Sequence, residues 1–184
     1  MKRTFNERLH LYLTGYRGCG KSTVAKLLAG RLQRAVVDLD EVIETDAKMT
    51  IAEIFASENE TGFRNRETES LLRIALAPAQ VISLGGGAIL REENRRTIRH
   101  TGVCIWLDAD PEVIAARLSS DSTTGDRRPS LTGQPVLQEI HDVMAQRETL
   151  YREAADLRID TSGLSIETVV DQIVAAVVPN GGSI

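Results

Sequence analysis

The chain has 184 residues, 42% of them hydrophobic and 4% aromatic, with a formal net charge of -4 at pH 7. That length fits one domain spanning 1–184, and the acidic balance argues against nucleic acid, whose binding domains are typically basic. No apolar run approaches the roughly 20 residues of a membrane span, and no charged-then-apolar leader opens the chain, so a cytoplasmic enzyme or binding protein is expected.

Residues 9–15, "LHLYLTG", read as a short strand alternating apolar and polar and ending in glycine, and 24–32, "VAKLLAGRL", repeat apolar residues at helical spacing. A second buried strand begins at 35, in "AVVDLDEVI", and breaks at Asp38. Thr50 and Glu53 form a capping box ahead of Ile54 and Phe55. A helical stretch from about 60 to 77 stops at Pro78. Strands follow at 80–87, "QVISLGGG", and 103–110, "VCIWLDAD". Pro111 suits a first helical turn. Residues 119–135 are polar and rich in Gly, Pro and Thr, and read as a long loop. An amphipathic helix over 136–154, a strand over 157–160 and a helix over 166–178 complete the chain. Strands alternating with helices imply a parallel sheet wrapped by helices. Ligands in such sheets sit at the carboxyl ends of the strands. The loops 15–22, 38–40 and 85–87 should therefore lie close together.

Between the first strand and the first helix, Gly15-Tyr16-Arg17-Gly18-Cys19-Gly20-Lys21-Ser22-Thr23 matches GxxxxGK[ST]. Glycines clear the approach of a phosphate chain to inward-facing backbone N–H groups, and the helix start adds its positive end. Lys21 is placed to reach the β- and γ-phosphates, and Ser22 offers a hydroxyl to Mg²⁺. A bare Gly-rich turn would not need this strand-before, helix-after context. The loop is read as a nucleoside triphosphate site. Cys19 is read as filler, and Cys19 and Cys104 show no CxxC or His–Cys spacing for a disulfide framework or zinc.

Asp38 and Asp40, two apart, would point the same way in extended chain. One could hold the water shell of Mg²⁺ near Ser22, and the other could accept a hydrogen bond from an acceptor hydroxyl. The alternative is an acid-rich helix start. Arg147 falls on the apolar stripe Val136, Ile140, Val143, Met144 and Tyr151. A bound anion would pair it there, although an arginine can also lay its stem on the core and its head in water. Arg64 has Glu67 three residues on, as an orienting partner or an exposed salt bridge. Arg127-Arg128-Pro129 lies in the long loop, which is either an active-site lid or a surface loop. The glycines 85–87 suit close approach of a ligand to backbone. His10, His100 and His141 are read as surface or edge residues.

Taken in order, "GYRGCGKST", "DLD", "IAEIF", "FRNRE", "LGGGA", "RRP" and "QRETLY" resemble the shikimate kinase family over roughly residues 9 to 178. The resemblance implies a P-loop kinase fold with a five-stranded parallel sheet flanked by helices. It also implies a substrate-binding helical region over about 40–77 and a flexible lid over about 119–133. The implied reaction moves the γ-phosphate of ATP to the 3-hydroxyl of shikimate, with Mg²⁺, in aromatic amino-acid biosynthesis. By resemblance, Asp38 acts on the Mg²⁺ side and Asp40 binds the substrate hydroxyls. Arg64 and Arg147 grip the carboxylate and Gly86 contacts substrate through its backbone. Arg128 reaches the phosphates from the lid, and Arg117 packs against adenine. Lys21, Asp40 and Arg128 would be catalytic. Gly15, Gly18, Gly20, Lys21, Ser22 and Thr23 would hold the nucleotide. The family often presents a proline to the adenine after the last strand, whereas "DTSGLSI" (160–166) has none. A monomer is expected. Two rivals remain at this point: a kinase for another small acceptor such as a sugar acid, and a catalytically dead nucleotide-binding regulator.

Overall fold

Strands of a parallel sheet covered by helices on both sides are buried on both faces. Strand β1 (His10–Thr14) alternates polar and apolar residues, yet all five are buried at the centre of the sheet. The structure is a computed structural model that describes residues 9–120 and 135–178. Among them, β2 (Val36–Asp38), β3 (Val81–Ser83), β4 (Gly102–Asp108) and β5 (Leu157–Asp160) join β1 in one parallel sheet of order β2-β3-β1-β4-β5. The chain crosses from β1 to one side of the sheet for β2 and β3, and to the other for β4 and β5. The carboxyl end of β1 is therefore the point where a crevice opens.

Helices cover both faces. On one, α1 (Lys21–Arg31) and α7 (Ile166–Val177) pack Val24, Leu28, Val170 and Ile173 against Leu11, Leu13 and Ile105. Ser165 caps α7 by accepting from the Thr168 amide. On the other face, α2 (Leu39–Ala47), α3 (Ile51–Ala75), α4 (Glu92–Thr101) and α6 (Val136–Ala154) cover Tyr12, Ile82 and Trp106. A smaller cluster joins α5 (Pro111–Ser120) to α6 through Ile114, Ile140 and Val143.

The two helical stretches read on either side of residue 58 are one run, α3, broken at Asn59 (φ 59°, ψ -173°). The Asn59 side chain accepts from the Thr61 amide at 2.8 Å and so caps the second half. The Thr50–Glu53 capping box is present at its start. Ser119 and Ser120, taken as the start of the lid, belong to α5. The rest of that loop, Arg128 included, lies outside the described residues.

His10 is not a surface residue. It sits in the central strand at 3% exposure. Its Nδ1 accepts from the Gln80 amide at 3.3 Å, so Nε2 carries the proton and meets the Ala75 carbonyl at 3.4 Å. Burial pushes its pKa below the ordinary 6.5. A depressed base contributes stability above its unfolded pKa, and that stability is lost as pH falls through the folded value. Thermal midpoints should therefore decline on acidification below about 6.5, and His10→Gln, which keeps a donor and an acceptor, should flatten that slope. Identical slopes in the two proteins would count against the histidine as the cause.

Candidate active site

The loop after β1 turns through Gly15 (φ 138°), Gly18 (φ 79°) and Gly20 (φ 93°), in the left-handed region that favours glycine. A Cβ on Gly15 would also sit 2.1 Å from the Leu107 carbonyl oxygen. Gly20 is the N-cap of α1 and brings no side chain to the first-turn amides, which leaves them to an anion. Lys21, 7% exposed, arches back over the loop, and its Nζ donates to the carbonyls of Gly15 and Tyr16, each at 2.9 Å.

Ser22 Oγ donates to Asp38 Oδ2 at 2.7 Å and lies 3.3 Å from Ser83 Oγ. Asp38 ends β2 and caps α2, its Oδ1 accepting from the Asp40 amide at 3.1 Å. The strand ends at Asp38, as expected, and the chain turns helical at Leu39, so Asp38 and Asp40 do not share an extended run. Asp40 lies in the first turn of α2, as the helix-start reading expects, and its side chain borders the cavity formed there. These residues line a cavity of about 550 Å³ with Gly18, Gly20, Lys21, Thr23, Arg117 and Thr161. Arg117 donates to Thr161 Oγ1 (3.1 Å) and to the Thr161 carbonyl (2.8 Å), which ties α5 to the loop after β5. Hydroxyl and carboxylate oxygens side by side at Ser22 and Asp38 are the donor types Mg²⁺ takes.

A second cavity of about 330 Å³ adjoins the first and shares Arg17, Asp40 and Ile51 with it. Its other lining residues include Phe55, Phe63, Arg64, Glu67, Gly85 to Gly87 and Arg147. Arg64 is held by Glu67, Nη1 to Oε2 at 2.8 Å, and Glu67 is fully buried, so this pair is no exposed helix salt bridge. Burial pushes the Glu67 pKa up, against the pull of Arg64. Its Oε1 has no hydrogen-bond partner among the described residues. Arg147 Nη1 donates to the Gly86 carbonyl at 3.2 Å, and Tyr151 Oη donates to the same oxygen at 2.6 Å. The apolar stripe of α6 therefore aims Arg147 at the glycine triplet. Val136, at the start of that stripe, is exposed.

The glycines divide their work. A Cβ on Gly85 would lie 2.8 Å from Asp40 Oδ1, and one on Gly87 would lie 2.4 Å from Arg64 Nη2. Gly86 alone meets nothing closer than 3.3 Å. Gly85 and Gly87 thus leave room for the protein's own Asp40 and Arg64 side chains, an account of the triplet beside ligand approach. Gly87 has an ordinary φ of -108°, so only space constrains it. Gly87→Ala should displace the Arg64 guanidinium and raise the acceptor KM by on the order of 10-fold to 10²-fold, with ATP KM unchanged. Equal KM values in steady-state assays would show that Arg64 can yield without cost.

The family model for shikimate kinase matches residues 17–178. A shikimate kinase of Rhodopirellula baltica is 58% identical over 167 residues, covering 91% of this chain and 89% of that protein. The chain belongs to the shikimate kinase family. Another shikimate kinase, from Symbiobacterium thermophilum, is 45% identical across 90% of this chain and 94% of its own length. The fold agrees with that of Acinetobacter baumannii shikimate kinase solved with shikimate, at TM-score 0.87 and 33% identity over 95% of this chain and 96% of that one. Shikimate kinase from Aquifex aeolicus superposes with TM-score 0.76 at 31% identity, covering 91% of this chain and 95% of that one.

Some residues of the candidate site carry no clear signal in the sequence. Phe55 and Phe63 stack at 4.8 Å on the wall of the second cavity. Arg17, inside the phosphate loop, pairs with Glu139 in the first turn of α6. Glu139 is the exception: it occupies the same helical face as Val143 and Arg147, where a charge calls for a partner. For Arg17 no local signal exists, because the loop motif leaves its position open.

Proposed function

We infer that the protein transfers the γ-phosphate of ATP to the 3-hydroxyl of shikimate, giving shikimate 3-phosphate for aromatic amino-acid biosynthesis. One observation carries this reading: a phosphate-loop cavity adjoins a second cavity that has arginines from two different helices on its wall and an aspartate common to both. Planar guanidinium forks suit a carboxylate, and an aspartate suits neighbouring hydroxyls. Shikimate offers both in a small molecule. The unpartnered Glu67 Oε1 adds an acceptor in the same wall.

In this mechanism the loop amides and Lys21 hold the triphosphate, which displaces the loop carbonyls from Nζ. Gly15, Gly18, Gly20, Ser22 and Thr23 shape that cradle, and Arg117, on the wall of the same cavity, packs against the adenine. Ser22 and Asp38 would hold Mg²⁺, which when bound would neutralise phosphate charge. Arg64 and Arg147 fix the shikimate carboxylate, with the Gly86 backbone alongside. Asp40 orients the 3-hydroxyl and takes its proton as the oxygen bonds to the γ-phosphorus. The bond to the β-phosphate oxygen breaks, and its electron pair leaves with ADP. Arg128, outside the described residues, is assigned to the same charge by the family resemblance alone. Transfer of this kind rests on positioning and charge stabilisation, so a carboxylate of ordinary strength suffices.

The test is ADP release with shikimate, without acceptor, and with sugar acids of similar size. Turnover should require shikimate. Faster turnover with a sugar acid would reassign the acceptor, and nucleotide binding without turnover on any acceptor would favour a regulator.

A further inference from the structure

We propose that Arg17, held in place by Glu139, is a further catalytic residue that neutralises charge on the phosphoryl group in flight. The proposal rests on the reading of the preceding subsection. Arg17 lines both cavities, so it stands at the partition the phosphoryl group must cross. Its backbone nitrogen is 3.7 Å from where a Cβ on Gly86 would lie, beside the acceptor wall. Its side chain is 14% exposed and ion-paired through Nη2 to Glu139 Oε1.

Glu139 is 1% exposed and receives both residues that follow Gly15: Arg17, and Tyr16, whose Oη donates to Oε1 at 3.5 Å. A carboxylate buried to that degree is retained only with cationic or hydrogen-bonding partners. The phosphate cradle itself does not call for an arginine at this position, since its chemistry comes from backbone amides and Lys21. The pair therefore fixes one positive charge where the two substrates meet. A guanidinium carries five N–H donors in a rigid fork, so an oxygen of the transferring group can be met without giving up Glu139. As the bond from the acceptor oxygen to phosphorus forms and the bond to the ADP oxygen breaks, charge spreads over the phosphoryl oxygens, and a preorganised cation there lowers the barrier. Glu139 is the positioning residue, acting through Arg17.

The experiment compares wild type, Arg17→Met, Arg17→Lys and the double variant Arg17→Met/Glu139→Met. The double variant removes both charges, so no buried carboxylate is left unpaired and the fold is kept. Readouts are kcat, KM for ATP and shikimate, and shikimate affinity in the presence of ADP and fluoroaluminate, a mimic of the group in transfer. Arg17→Met and the double variant should each lose kcat by on the order of 10²-fold or more, with both KM values near wild type and the fluoroaluminate-dependent gain in affinity lost. Arg17→Lys should recover part of both. A double variant with wild-type kcat would overturn the proposal, leaving Arg17 as a structural companion of Glu139. A raised shikimate KM with unchanged kcat would also overturn it, assigning Arg17 to the substrate carboxylate. A wild-type chain inactive on shikimate would overturn the parent reading and this proposal with it. Active wild type with an active Arg17→Met would overturn this proposal alone.

Discussion

Asp40→Asn should slow phosphoryl transfer by on the order of 10²–10⁴-fold, the usual contribution of a positioned general base, while ATP affinity stays at the wild-type level. The residue is 8% exposed, lies in the first turn of α2, and lines both cavities. Gly85 gives its carboxylate room, because any Cβ there would press on Oδ1. The amide of asparagine keeps the shape and one acceptor oxygen but cannot take the hydroxyl proton. Asp38, two residues earlier, already holds Ser22 and caps the helix, so the nucleotide side retains its carboxylate. Steady-state kcat and an ATP titration separate the two outcomes. If ATP binding disappears together with turnover, Asp40 belongs to the metal side and the division of labour between the aspartates is reversed.

Arg147→Ala should weaken shikimate binding by about 2–5 kcal/mol, the cost of truncating one partner of a buried hydrogen-bonded charge pair, again with ATP affinity preserved. Arg147 is the cleaner of the two arginines to remove. Deleting Arg64 would strand Glu67, which is fully buried and accepts from it, and would confound binding with stability. Arg147 donates to the Gly86 carbonyl, which Tyr151 continues to hold. Calorimetric titration of shikimate reads the loss directly, and an unaltered dissociation constant would rule out the carboxylate clamp.

The parts of this molecule that could be read from sequence are those written locally. The phosphate loop is contiguous, its glycines punctuate it, and a strand and a helix flank it. The apolar spacing of α7 over Val169, Val170, Ile173 and Val177 and the capping box at Thr50 are equally local. Arg147 stands out because a cation on an apolar stripe breaks the pattern. The rest depends on what distant segments bring. His10 looked like an edge residue because a single strand does not reveal that it will be central. The break at Asn59 takes one residue out of helical register, which no 3.6-residue pattern encodes. The glycine triplet looked like a ligand feature because Asp40 and Arg64, which crowd Gly85 and Gly87, come from other elements. Arg17 and Glu139 lie 122 positions apart, and only the fold makes them neighbours.

The partition built from Arg17, Asp40 and Ile51 belongs to both cavities at once. Whatever one ligand does to the position or charge of that wall, the other ligand must feel. Thermodynamic linkage requires any dependence of one affinity on the occupancy of the neighbouring cavity to be mutual. The factor by which nucleotide alters the hold on shikimate equals the factor by which shikimate alters the hold on nucleotide. The sign of that factor reports whether the shared wall is tightened or strained by the first arrival.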